Sequence, residues 1–289
     1  MRSLVAAALS MVAGATLLAS GTDAHAGGVT VTIVDGRKAK ADITLPVPPP
    51  GSGNYTAEFE LEFENPVLNL TVACLGLTAD VLDASAIANV NSRLPDPVHQ
   101  GIDPAFPVRV TVEPPSGCGL QFYYAVEVEY ETDDIVYAPQ SQYRLMKAPV
   151  GGAFHDITGT LTQGSVRSRG RAGGFSEFVI VKNTAQNYAA DAVQSYDALA
   201  ARIADPSIGL TAQLTLQTDL ILSRLAYLAG NYTAAIARLD DLDFHCAALG
   251  GPVLPNTWRS QRDLSNAEGE VVSYTANIRF NLDRLNGSP

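Results

Sequence analysis

Positive charge is scarce in this chain. Lys and Arg number 19 against 30 Asp and Glu, a net of −11 over 289 residues. A nucleic-acid binder carries a basic face, so that class is set aside. Cysteine occurs only three times and tryptophan once, which excludes a disulfide-dense scaffold. The four histidines make no H-E-x-x-H and no pair at i, i+4, so the zincin pattern is absent. There is no C-x-x-C, no G-x-S-x-G elbow, no S-x-x-K and no glycine-rich phosphate loop. These absences lean against an enzyme without deciding the matter, because catalytic triads are assembled by the fold. Beyond residue 26 no apolar run reaches the ~18 residues of a membrane span.

The first residues carry the pattern of an export leader. Arg2 supplies a positive start, Leu4 to Ala19 is a mostly apolar run, and Ala24-His25-Ala26 has the A-x-A form of a cleavage site. The expected mature chain begins at Gly27 and lies outside the cytoplasm, secreted or periplasmic, in a bacterial setting. Cysteine use fits an oxidising compartment. Of Cys74, Cys118 and Cys246 one must stay unpaired within the chain. Cys74 and Cys118 fall in the same strand-rich half and are the expected disulfide; Cys246 sits in a helical apolar pattern and is the expected buried thiol.

Residues 28–183 read as strands. From Ala57 to Glu64 the alternation is strict, with Glu58, Glu60, Glu62 and Glu64 on one face and Phe59, Leu61 and Phe63 on the other. Leu70, Val72 and Cys74 line a further run, Val108, Val110 and Val112 alternate, and Phe122, Tyr124, Val126, Val128 and Tyr130 oppose Glu127, Glu129 and Glu131. Pro and Gly clusters punctuate these runs. Near Thr184 the pattern changes to helical. Leu210, Leu214, Ile221, Leu225 and Leu228 recur at helical spacing and read as one apolar stripe. Ala235, Ile236, Leu239, Leu242 and Cys246 form a second, and Val271, Tyr274, Ile278, Leu282 and Leu285 a third. The fold class expected is therefore two-domain, all-β plus all-α: a leader over 1–26, an antiparallel immunoglobulin-like β-sandwich over 27–183 and a small helical bundle over 184–289.

The run from Leu225 to Leu242, with its Gly230-Asn231 break followed by an Ala-rich helix, resembles FIMAH-type domains. These are small helical modules at the C-terminal end of bacterial secreted proteins, often appended to glycoside hydrolases. The resemblance covers residues 196–285. It implies an accessory module and no catalytic residue.

The most distinctive chemical feature is the pair of glutamate combs. Members of one comb stand ~6.6–6.8 Å apart along a strand. If the two strands are neighbours, the carboxylates repel and Ca²⁺ is one way to relieve this, so Glu58, Glu60, Glu62, Glu127, Glu129 and Glu131 are metal candidates. A solvated sheet face is the plainer reading. Arg167, Arg169 and Arg171 alternate and form a basic stripe suited to an anion, either an anionic polymer or the acidic surface of the second half. His245-Cys246 does not form a nucleophile–base pair, because adjacent helical residues point ~100° apart. His155-Asp156 reads as a loop, and the lone Trp258 as a plug in the core or between the halves. Together these readings predict a non-enzymatic extracytoplasmic protein that binds a protein or glycan partner or organises a surface. A carbohydrate-active accessory or hydrolase and a Ca²⁺-dependent adhesion module are the alternatives.

Overall fold

The computed structural model describes residues 28–49, 51–137, 142–162 and 164–287; the leader expected over 1–26 lies outside them. The chain runs through β1 (Gly28–Asp35), β2 (Lys38–Pro46), β3 (Asn54–Phe63), α1 (Val72–Leu75), β4 (Leu77–Val81), α2 (Ala84–Ser92), β5 (Gln100–Ile102), β6 (Val108–Val112), β7 (Gln121–Tyr123) and β8 (Val126–Val136). It continues through β9 (Tyr143–Ala148), β10 (His155–Asp156), β11 (Thr158–Thr162), β12 (Ser165–Ala172) and β13 (Glu177–Asn183). The C-terminal part holds α3 (Tyr188–Ile203), α4 (Leu210–Leu228), α5 (Tyr232–Leu249), β14 (Thr257–Arg259) and α6 (Ala267–Leu285).

Among the described residues two large antiparallel sheets form, ordered β1-β2-β3-β8-β12-β11 and β10-β9-β13-β6-β4, with β5 added on β13. Period-two alternation puts Phe59, Leu61 and Phe63 on one face of the first sheet. There they join Val108, Val110, Val112, Phe178 and Ile180 of the second sheet in one core. Phe59 and Phe178 meet across the two sheets at 5.2 Å between ring centroids. Cys74 and Cys118 are joined by a disulfide beside this core, with Cα atoms 5.5 Å apart. Strand β13 is apolar on both faces because the far side of its sheet is also covered. Val179 and Val181 pack with Met146, Phe154 and Val90 of α2 in a separate cluster.

The helices obey local capping rules. Asn187, Asn231 and Asn266 precede α3, α5 and α6, and each side chain accepts a hydrogen bond from the backbone three residues on, at 3.1, 3.0 and 3.0 Å. Helix α6 lies against β12 and β11, held by Ser273 Oγ donating to the Arg171 carbonyl (2.6 Å) and Asn277 Nδ2 donating to the Thr158 carbonyl (3.0 Å). Its first turn comes close because Gly173 lacks a side chain: a Cβ there would stand 2.6 Å from Glu270 N. A buried ion cluster closes the same joint. Arg144 Nε is 3.5 Å from Asp156 and its Nη2 3.8 Å from Asp191, between the rings of Tyr188 and Phe280.

Several expectations need correction. Leu70, Val72 and Cys74 do not lie on a strand. Thr71 caps a short helix instead, accepting from Cys74 N at 3.1 Å. Residues 84–92, read with the strands, are helix α2, capped by Asp83. His155 and Asp156 are not a loop: they form β10 beside β9. The stripe on α4 is inverted. Leu210, Leu214, Ile221, Leu225 and Leu228 face outward, and the core side is Ala212, Leu216, Leu220 and Ser223.

Candidate functional site

The two glutamate combs are neighbours. Register places Glu58 opposite Glu131, Glu60 opposite Glu129 and Glu62 opposite Glu127. The strands on either side bring bases to the same rows: Lys40 beside Glu60, Lys38 beside Glu62, and Arg167, Arg169 and Arg171 beside Glu131, Glu129 and Glu127. Facing acids repel, and the flanking bases offset that repulsion. Lys38 reaches Glu60 at 2.7 Å, Lys40 reaches Glu58 at 2.9 Å, Arg167 reaches Glu131 at 2.6 Å, and Arg169 pairs with Glu129. Burial pushes Glu131 up, but Ser165 and Arg167 outweigh it and hold its carboxyl below the ordinary range. The comb is thus a charge ladder closed within one sheet. Among the described residues no group of three or more His, Cys, Asp or Glu is placed to hold a metal ion.

The ladder ends where α5 and α6 meet the sheet, and the electrostatics change there. Arg171 Nε lies 3.0 Å from Glu64, the last member of the first comb. Burial nevertheless raises the Glu64 carboxyl, with Arg171 opposing. Asp243 of α5 is likewise raised by burial, against Arg279 at 2.9 Å and the Thr275 hydroxyl at 2.7 Å. Beside them is a depression of about 390 Å³ lined by Glu64, Asn65, Tyr124, Ala247, Asn256 and Glu268.

Each wall of this pocket has a local cause. Tyr124 does not continue one strand from Phe122 to Tyr130 as its alternation suggests: it lies between β7 and β8 with φ 66°, a left-handed conformation uncommon for a bulky residue, which breaks the strand. It is clamped by its own N–H donating to the Asn256 carbonyl at 2.8 Å and by Asn266 Nδ2 donating to its carbonyl. Burial raises its phenol strongly. Glu268 lies in the first turn of α6 and is only 3% exposed. Burial pushes its carboxyl up to about 7, opposed by a hydrogen bond with Asn256. Perturbed carboxyls converging with amide and phenol groups in one concavity mark a functional-site candidate. A second depression, about 300 Å³, lies on the same seam between Arg169, Arg171 and Thr160 of the sheet and Ala276, Arg279 and Asp283 of α6.

A model of a protein family of unknown function, DUF6689, matches residues 12–286. The chain belongs to DUF6689. No curated protein matches it. The DUF6689 match spans both the sheets and the helices, so the seam between them lies inside one family unit.

Other residues singled out from this DUF6689 sequence fall away from the seam pocket. His245 is paired with Asp219 at 2.7 Å, and Cys246 beside it is a buried free thiol. Trp258 of β14 stacks on Phe122 at 5.4 Å and meets Phe175 at 4.8 Å, closing the end of the β core. His155 is held neutral by burial and by Lys147 nearby, its pKa lowered to about 3. Glu268, Tyr124 and Asn256 were not foreseen. The burial of Glu268 arises only when the Pro255–Asn256 turn folds over it, with Glu268 N–H donating to the Pro255 carbonyl at 2.9 Å.

Proposed function

We propose that this protein is an extracytoplasmic, non-enzymatic binding protein that holds a hydroxyl-rich ligand, such as a glycan end, in the pocket between the end of β3 and the start of α6. The observation that carries this reading is the convergence of Glu64, Asn65, Tyr124, Asn256 and Glu268 on one depression. With its pKa near 7, Glu268 keeps a proton to donate at mildly acidic pH, and the two amides and the phenol add donors and acceptors at fixed positions. No Ser, Cys or His lines the pocket, so a hydroxyl or thiol nucleophile activated by a histidine is not assembled there. The leader pattern and the disulfide both fit export to an oxidising compartment. The test is a thermal-shift screen of the protein against cell-wall and plant glycans. Stabilisation by one glycan class, lost in Glu268→Ala, supports the reading; no glycan shift above the buffer control rejects it.

A second reading is hydrolysis of a glycoside. It is favoured by two carboxyls lining one depression, one of them raised as a general acid requires. Release of chromophore from aryl glycosides, abolished by Glu268→Gln, would establish it. The adhesion reading through Ca²⁺ rests on the combs, whose acids are matched by Lys and Arg. Absence of heat at millimolar Ca²⁺ in calorimetry would end it. We further propose that the two facing sheets form an immunoglobulin-like sandwich, that residues 184–289 are a helical-bundle domain docked on those sheets with β14 paired to β7, and that residues 196–285 are a FIMAH-type module. The α4–α5 hairpin closed by α6 supports that last assignment.

A further inference from the structure

Helix α4 presents an uncovered apolar face. Leu210, Leu214, Ile221, Leu222, Leu225 and Leu228 are each between 41% and 69% exposed. Together they expose on the order of 600 Å² of aliphatic surface, the upper end of what a single chain carries in one patch. The exposed positions follow a rule. Thr211, Leu214, Thr218, Ile221, Leu225 and Leu228 are separated by alternating steps of three and four residues. That is the 3.5-residue spacing of a seam that packs against another helix, and none of the six is charged. An ordinary surface helix alternates such residues with charges.

We infer that this face is an antiparallel dimer interface, α4 against α4 of a second copy. The spacing is self-complementary. About a two-fold axis between positions 219 and 220, Thr211 faces Leu228 of the second copy, Leu214 faces Leu225, and Thr218 faces Ile221. Every small residue therefore meets a large one and no layer joins two threonines. Full cover of the two faces would bury up to about 1,200 Å² over the two copies, the lower bound for a specific interface. Charge also favours a second copy over a lipid surface. A helix lying on a membrane carries Lys and Arg along its polar flank. The one basic residue on α4, Arg224, is engaged by Asp197 at 2.7 Å, and the chain is acidic overall, with a net of −11.

Sedimentation velocity of the purified protein from about 1 to 200 µM should show a monomer–dimer transition. Leu225→Glu should shift it at least tenfold to higher concentration, with an unchanged far-UV circular dichroism spectrum. Orientation is tested by cross-linking. A mixture of Leu214→Cys and Leu225→Cys proteins should form a disulfide-linked dimer, and neither variant alone should. A monomer throughout the range, an unshifted transition in Leu225→Glu, or linkage within one variant would each overturn the inference. So would a monomer that binds zwitterionic vesicles through this face.

Discussion

Replacing Glu268 by Gln should stabilise the protein, and only at the upper end of the pH range. Gln keeps the shape and the contact with Asn256 but cannot ionise. The unfolded chain ionises Glu268 near 4.5, whereas burial holds the folded value near 7. Between these values the folded state binds a proton that the unfolded state has released, so stability falls as pH rises; above about pH 7 the penalty is constant. At 1.36 kcal/mol per pKa unit the full penalty is about 3 kcal/mol. Glu268→Gln should therefore gain about 2–3 kcal/mol near pH 8, roughly 4–10 °C in Tm, and about half a kcal/mol or less near pH 4.5. Asp191, raised to about 6, acts in the same direction, and His155, lowered to about 3, acts in the opposite one below its ordinary 6.5. Both are present in the two proteins and cancel in the difference. Urea unfolding of wild type and variant across this range is the assay. An equal difference at both pH values, or destabilisation near pH 8, would refute the claim that an ionised Glu268 is poorly solvated in its pocket.

Opening the Cys74–Cys118 disulfide, which spans 44 residues, should cost about 4 kcal/mol in the loop-entropy picture; urea midpoints of wild type and the double Cys→Ser variant measure it, and an unchanged midpoint would count against that picture. Gly173→Ala drives a Cβ into the α6 backbone and should cost about 1–3 kcal/mol, whereas Gly117→Ala, with open space around it, should change thermal stability by no more than about 0.5 kcal/mol. Cys246 is buried and its thiol pKa is pushed up by burial, so a thiol reagent should label it only as the chain unfolds; stoichiometric labelling of the native protein would contradict this.

Much of the fold could be read from the residues where a period was clean. The Glu–Phe alternation of 57–64 gave a strand with one buried and one polar face, and the core at Phe59, Leu61 and Phe63 follows it. The cysteine pairing followed from both residues lying in the strand-rich half. The helix starts at Asn187 and Asn231 follow from local chemistry. What escaped was decided by tertiary context. Helix α4 carries apolar residues on two sides, and no periodicity states which side the neighbours will cover; Leu216 and Leu220 went to the core, on the side where α3 and α5 pack. The short helices over 72–75 and 84–92 lie among strands whose pattern dominated the reading.

The candidate site was half legible for the same reason. The combs and the arginine stripe were visible as same-face alternation. Their mutual neutralisation was not, because strand order, which places β3 between β2 and β8 and β12 beyond β8, cannot be read from any single strand. Glu268, Tyr124 and Asn256 come from segments more than a hundred residues apart in part, and their burial is a property of the seam alone.

The most direct test of the central claim is amide chemical-shift mapping of the protein with a stabilising glycan added. The account predicts perturbations concentrated at Glu64, Asn65, Tyr124, Ala247, Asn256 and Glu268, and their loss in Glu268→Ala. Perturbations centred instead on Arg167 and Arg169 of the charge ladder, or unchanged in that variant, would contradict it.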